Sequence, residues 1–116
     1  MTGNISGETG CSIFMPGGFF QQSDETLKIF MGDVENALEK ANKIPTKYFY
    51  WKDRYDGPRE LGTSAQKVQE VFPEIVSGDE KLSVDYSKLA IVALAAVKEL
   101  TAKVEDLQNQ LDELKK

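Results

Sequence analysis

A serine hydroxyl attacks an amide at neutral pH only when a base takes its proton. The chain has no histidine, so every Ser-His arrangement is excluded. The alternative lies in Ser23-Asp24-Glu25-Thr26-Leu27-Lys28, where Lys28 is a candidate base for Ser23. A lysine can act so only when burial or a cationic neighbour favours its neutral amine. The same residues also fit a plain helix start, with Ser23 or Asp24 as N-cap and acids in the first turn. Residues five apart do not share a face of a regular helix. Ser23 must then lie just before the helix, or the lysine must reach back or come from a neighbouring chain.

The remaining composition narrows the chemistry. With no histidine and a single cysteine, Cys11, a zinc site is not expected and no internal disulfide can form. A reducing compartment fits that cysteine usage. No metal or other cofactor is expected. The 14 basic and 19 acidic residues give a net charge of -5, which argues against nucleic acid or an anionic membrane surface as partner. The most apolar stretch, Leu89 to Val97, is too short to span a bilayer. The first residues lack the basic-then-apolar pattern of a secretory signal. Glu70 and Glu74 resemble a glycosidase acid pair only in type, and no glycine-rich phosphate loop follows a strand.

These 116 residues make one domain by size. Residues 1–22 are glycine-rich and read as irregular or short-stranded, either a disordered arm or the tail of a larger β-rich body. A helix is expected from Ser23 to near Ala41 or Asn42, with Leu27, Phe30 or Met31, Val34 and Leu38 at helical spacing and Pro45 forbidding continuation. Its first-turn N–H groups are candidate oxyanion donors. The aromatic run Lys47 to Lys52 reads as a strand giving one face to a core, with Arg59 to Gly62 pairing back as a hairpin across Asp56-Gly57-Pro58. Thr63 or Ser64 caps a short helix from Ala65 to Val71, closed by Pro73. Glu74 to Val76 and Leu82 to Val84 read as two short strands, and Gln66 and Gln69 as a solvated helix face or a contact with a partner chain. The fold class is α+β.

Asp85 caps a long final helix from Tyr86. Val97, Leu100, Val104, Leu107, Leu111 and Leu114 alternate steps of three and four, with Ala90 and Ala93 extending the seam upward. Glu99 with Lys103 and Asp112 with Lys116 form favourable i,i+4 pairs. The upper part is expected to pack on the globular domain and the lower part to form a coiled coil. The alternative is one long amphipathic helix against its own domain, but the tail that runs from Leu100 has no sequence after it to cover its stripe, so self-association is favoured. Val and Leu at alternating seam positions lean towards two strands.

Four segments, in order, resemble the intramolecular chaperone auto-processing domain of phage tailspikes, tail fibres and endosialidases. They are Ser23 to Lys28, Phe49-Tyr50-Trp51-Lys52, Leu61 to Val76 with its Ala-Gln and Phe-Pro-Glu, and Val84-Asp85-Tyr86 followed by Val97-Lys98-Glu99-Leu100. The resemblance implies a homotrimer that helps a fibre fold and then cuts itself off before the motif serine. Carried over, the scissile bond is Gln22–Ser23, Ser23 the nucleophile, Lys28 the base and Asp24 a positioning acid. It implies a fibre remnant at 1–22 as substrate strand, a chaperone domain at 23–86 and a trimeric coiled coil at 87–116. It also implies assembly in the host cytoplasm, with the parent a larger viral protein. The chain departs from the family in the wholly apolar Ile29-Phe30-Met31 and in Thr63-Ser64, which replace polar and apolar residues respectively. The rival is a non-catalytic trimerisation module in which Ser23 is only an N-cap. A related processing domain of membrane-tethered transcription factors continues into a transmembrane helix, whereas this chain ends in a charged coil.

Overall fold

The computed structural model describes residues 17, 18, 20–54 and 56–116. Cys11 and most of the expected irregular arm lie outside the described residues. The chain divides into two compact units, Met1–Gly32 and Asp33–Lys116.

In the second unit the order is α1 (Ala37–Ala41), β1 (Lys47–Phe49), β2 (Glu60–Gly62), α2 (Ala65–Val71), β3 (Val76–Ser77), β4 (Ser83–Val84) and α3 (Tyr86–Leu114). The class is α+β: among the described residues there are two separate two-stranded antiparallel sheets and three α-helices. Strands β1 and β2 pair with Lys47 opposite Gly62 and Phe49 opposite Glu60. Strands β3 and β4 pair Val76 with Val84. The Ser64 hydroxyl accepts the Lys67 N–H at 3.2 Å and starts α2. Pro73 ends it, because proline has no N–H to continue the ladder.

Burial explains which elements persist. Val68, Phe72, Ile75 and Val92 form the core, with Ala41, Ile44, Val71, Val76, Val84 and Leu89 packed against it. Helix α1 packs along α3, whose Val92 and Ala96 are buried, and Val68 of α2 meets Val92 in the core. Asp85 Oδ1 accepts the N–H groups of Ser87 and Lys88 and begins α3. At 29 residues that helix is roughly 43 Å long.

Several expectations are corrected. No helix runs from Ser23 to Ala41. A three-residue 3-10 turn, Glu25–Leu27, is followed by extended backbone at Lys28 (φ -121°, ψ 155°). Isolated helices of this length are marginal without a buried face, and Ile29, Phe30 and Met31 are 92%, 73% and 97% exposed. Gly32 (φ 136°) and Asn36 (φ 56°) then take left-handed conformations, which a helix does not accommodate. The aromatic strand is only three residues, and Lys52–Arg54 is a 3-10 turn. Tyr48, Tyr50 and Trp51 are exposed rather than core, while Phe49 lies over Gly62, where a Cβ would meet the ring at 2.7 Å. Pro73–Ile75 is a 3-10 turn, so β3 starts at Val76.

Of the expected ion pairs on α3, Asp112–Lys116 is replaced, while the Lys103 charge still favours the Glu99 carboxylate. Lys116 bridges Glu113, and Asp112 accepts from Gln108. Glu99 turns to α1, taking the N–H of Ala37 at 2.9 Å and of Leu38 at 3.0 Å. Asn36 gives that helix no side-chain cap, so Glu99 supplies the acceptor its first turn needs.

Candidate functional site

The site is built by one short turn. Asp24 is its N-cap: its Oδ1 accepts the Thr26 N–H at 2.9 Å and the Thr26 hydroxyl at 2.7 Å. The backbone closes with Leu27 N–H on the Asp24 carbonyl and Lys28 N–H on the Glu25 carbonyl, both at 3.1 Å. The chain then straightens at Lys28. This combination overcomes the five-residue spacing. A continuous helix would put Lys28 on the far side of Ser23. One tight turn followed by an extended residue lets the side chain reach back, and Lys28 Nζ donates to Ser23 Oγ at 2.5 Å.

Ser23 lies outside the turn, and Asp24 rather than Ser23 caps it. Gln22, on the other side of the Gln22–Ser23 bond, is exposed, as are Ser23, Asp24 and Lys28. Asp24 is held below the usual carboxylate range. The Thr26 hydroxyl is the main cause, then the Thr26 N–H; desolvation opposes them and the Lys28 charge adds to them. Asp24 is therefore ionised at neutral pH and positions the turn while touching neither Ser23 nor the Gln22 carbonyl by any hydrogen bond described. The first-turn N–H groups expected to serve an oxyanion are partly engaged, since those of Thr26, Leu27 and Lys28 have acceptors within the turn.

The seam residues lie on α3 in the other unit. Val97, Leu100, Val104, Leu107, Leu111 and Leu114 are 57%, 48%, 57%, 62%, 46% and 83% exposed. Tyr86, Ala90 and Ala93 are exposed on the same stripe, so the seam runs beside the buried Val92–Ala96 face rather than starting below the body. Gln66 and Gln69 are also exposed.

Two residues were not singled out as functional from the sequence. Thr26 has a local signal, the Asp-x-Thr pattern, which repeats as Asp85-Tyr86-Ser87 at the start of α3. Glu99 has none, because its partners are 61 and 62 residues away. Among the described residues no cluster of metal-ligating side chains is present, and no helix is long and apolar enough to cross a membrane.

Residues 23–77 match the model of a family named as a peptidase family and described as the chaperone of endosialidase. The match begins on Ser23. The long tail fibre protein Gp37 of Enterobacteria phage K3 is 34% identical over 100 residues, covering 78% of this chain and 8% of that protein. The protein of the same name from Enterobacteria phage T2 is also 34% identical over 100 residues, 78% of this chain and 7% of its own length. That of Enterobacteria phage M1 is 36% identical over 101 residues, 81% of this chain and 39% of its own length. The chain thus spans a minor part of the relatives it matches.

Proposed function

Because this chain belongs, over residues 23–77, to the chaperone-of-endosialidase family, we propose that it is the assembly chaperone of a phage tail fibre or spike, and that it cuts itself free at the Gln22–Ser23 bond. One observation carries the cutting: Lys28 Nζ sits on Ser23 Oγ at 2.5 Å, at the residue where the family match begins. The rival reading, Ser23 as an N-cap, loses its ground because Asp24 does the capping.

The chemistry follows from the pair. The Lys28 amine, once neutral, takes the Ser23 hydroxyl proton. The oxygen attacks the Gln22 carbonyl carbon through a five-membered ring. The C–N bond breaks, and the Lys28 ammonium returns its proton to the departing Ser23 nitrogen. The product is an ester between Gln22 and Ser23 Oγ. Water then hydrolyses it, leaving a Gln22 carboxylate and a chain that begins with Ser23. Holding nucleophile and target on one chain supplies proximity without substrate binding. The reaction happens once per chain.

Assembly supplies the trigger. The pair is exposed in the single chain, and desolvation disfavours an ammonium. Covering by neighbouring copies therefore favours the neutral amine. The α3 seam brings three copies together, and residues upstream of Ser23 are the fibre segment that is released. The likeness to phage tail fibre proteins supports virion assembly as the occasion, which on this reading takes place in the host cytoplasm. Interception of the ester tests the mechanism: hydroxylamine added during cleavage yields a Gln22 hydroxamate on the released segment, absent from Ser23→Ala and Lys28→Ala. Hydroxamate formation in either variant overturns the dyad.

A further inference from the structure

We infer that Thr26 is a positioning residue that sets Lys28 on Ser23, acting through Asp24. The inference rests on the Ser-Lys reading and deepens it. Thr26 gives Asp24 Oδ1 both its N–H and its hydroxyl, at 2.9 and 2.7 Å. Bonds to an ionised acceptor are the strong class of hydrogen bond. They fix the start of the Glu25–Leu27 turn, and that turn alone returns Lys28 towards Ser23. No buried apolar contact supports it, since none of its three residues is buried.

The chain contains its own comparison. Asp85-Tyr86-Ser87 repeats the device: the Ser87 hydroxyl meets Asp85 Oδ1 at 2.6 Å and the Ser87 N–H meets the same oxygen at 3.1 Å. There the following residues bury Val92 and Ala96, and the start grows into α3. After Thr26 the apolar residues stay exposed and the helix stops at Leu27. The same capping device thus opens a long helix in one place and a single turn in the other. Only the single turn lets a residue five positions on come back to the first.

Threonine is the informative position because its hydroxyl can be removed at constant shape. Thr26→Val keeps the branched side chain and the backbone N–H but deletes the hydroxyl donor. It should slow release of residues 1–22 by about tenfold, the low end of what one hydrogen bond to a charged acceptor carries. Thr26→Ser, which keeps the hydroxyl, should cut at the wild-type rate. The thermal midpoint of both should match wild type, because Thr26 is exposed and belongs to the unit that excludes the core. A second readout does not depend on cutting: the Asp24 carboxyl carbon, followed by NMR, should titrate lower in wild type and Thr26→Ser than in Thr26→Val.

Wild-type cutting by Thr26→Val, or an Asp24 titration unmoved by loss of the hydroxyl, overturns the positioning role. Equal slowing of Thr26→Ser and Thr26→Val also overturns it. The parent reading fails separately, if Ser23→Ala or Lys28→Ala still releases the segment.

Discussion

Replacing Leu107 by alanine should weaken association while leaving each chain folded. Leu107 is 62% exposed in the middle of the seam, so nothing in the chain's own core depends on it. Fully burying a leucine side chain is worth about 1.5–3 kcal/mol, and burying the exposed share is worth roughly 1–2 kcal/mol per chain. In the proposed trimer three copies lose roughly 3–6 kcal/mol, about a hundred- to ten-thousand-fold in the association constant. Alanine is the best helix former, so fraying of α3 does not produce the effect. Sedimentation equilibrium over a dilution series, on a Ser23→Ala background to hold the chain whole, reads the change. Asn109→Ala, two residues on and off the seam, is the control. Wild-type association by Leu107→Ala, or equal weakening by both variants, would refute the seam as the interface.

Other consequences follow from the core and from the contact between α1 and α3. Phe72 is 6% exposed and central to the core; Phe72→Ala should destabilise the chain by about 3–5 kcal/mol in urea titrations. The Glu99 carboxyl is held below the usual glutamate value, first by the Leu38 N–H, then by the Ala37 N–H. A carboxylate depressed on folding contributes stability above its unfolded value, near 4.5, and loses it as pH falls through the lower folded value. Thermal midpoints of wild type and Glu99→Gln should therefore lie furthest apart above pH 4.5 and converge as pH falls through the lower folded value. A constant gap across that range would contradict the assignment.

The sequence makes legible those elements whose signals are local and whose burial agrees with them. Helix α2 has the expected bounds because Ser64, Pro73 and the buried Val68 act together. The Lys47–Gly62 register follows from a strand pair around a turn. Asp85 begins α3 as its Asp-x-Ser pattern implies. The helix from Ser23 fails over its first part for the converse reason: Leu27, Phe30, Met31 and Val34 stay exposed, and periodicity without burial does not hold a helix. Its last part persists as α1, where Leu38 is half-buried and the helix ends at Ala41 as expected. The same failure brings Ser23 and Lys28 within hydrogen-bond distance, a placement that helical spacing argued against. An i,i+4 pairing of Glu99 with Lys103 is visible in sequence, whereas two N–H groups about sixty residues upstream are not. The stronger acceptor demand of an uncapped helix start wins over a solvated ion pair.

The most direct test is native mass spectrometry of the purified chain beside Ser23→Ala and Lys28→Ala, with intact mass read on the same samples. The account predicts a wild-type trimer whose chains begin at Ser23, and two variants that are trimeric and whole. A wild-type trimer that stays uncut, or variants that are cut as wild type is, would contradict the Ser23–Lys28 mechanism.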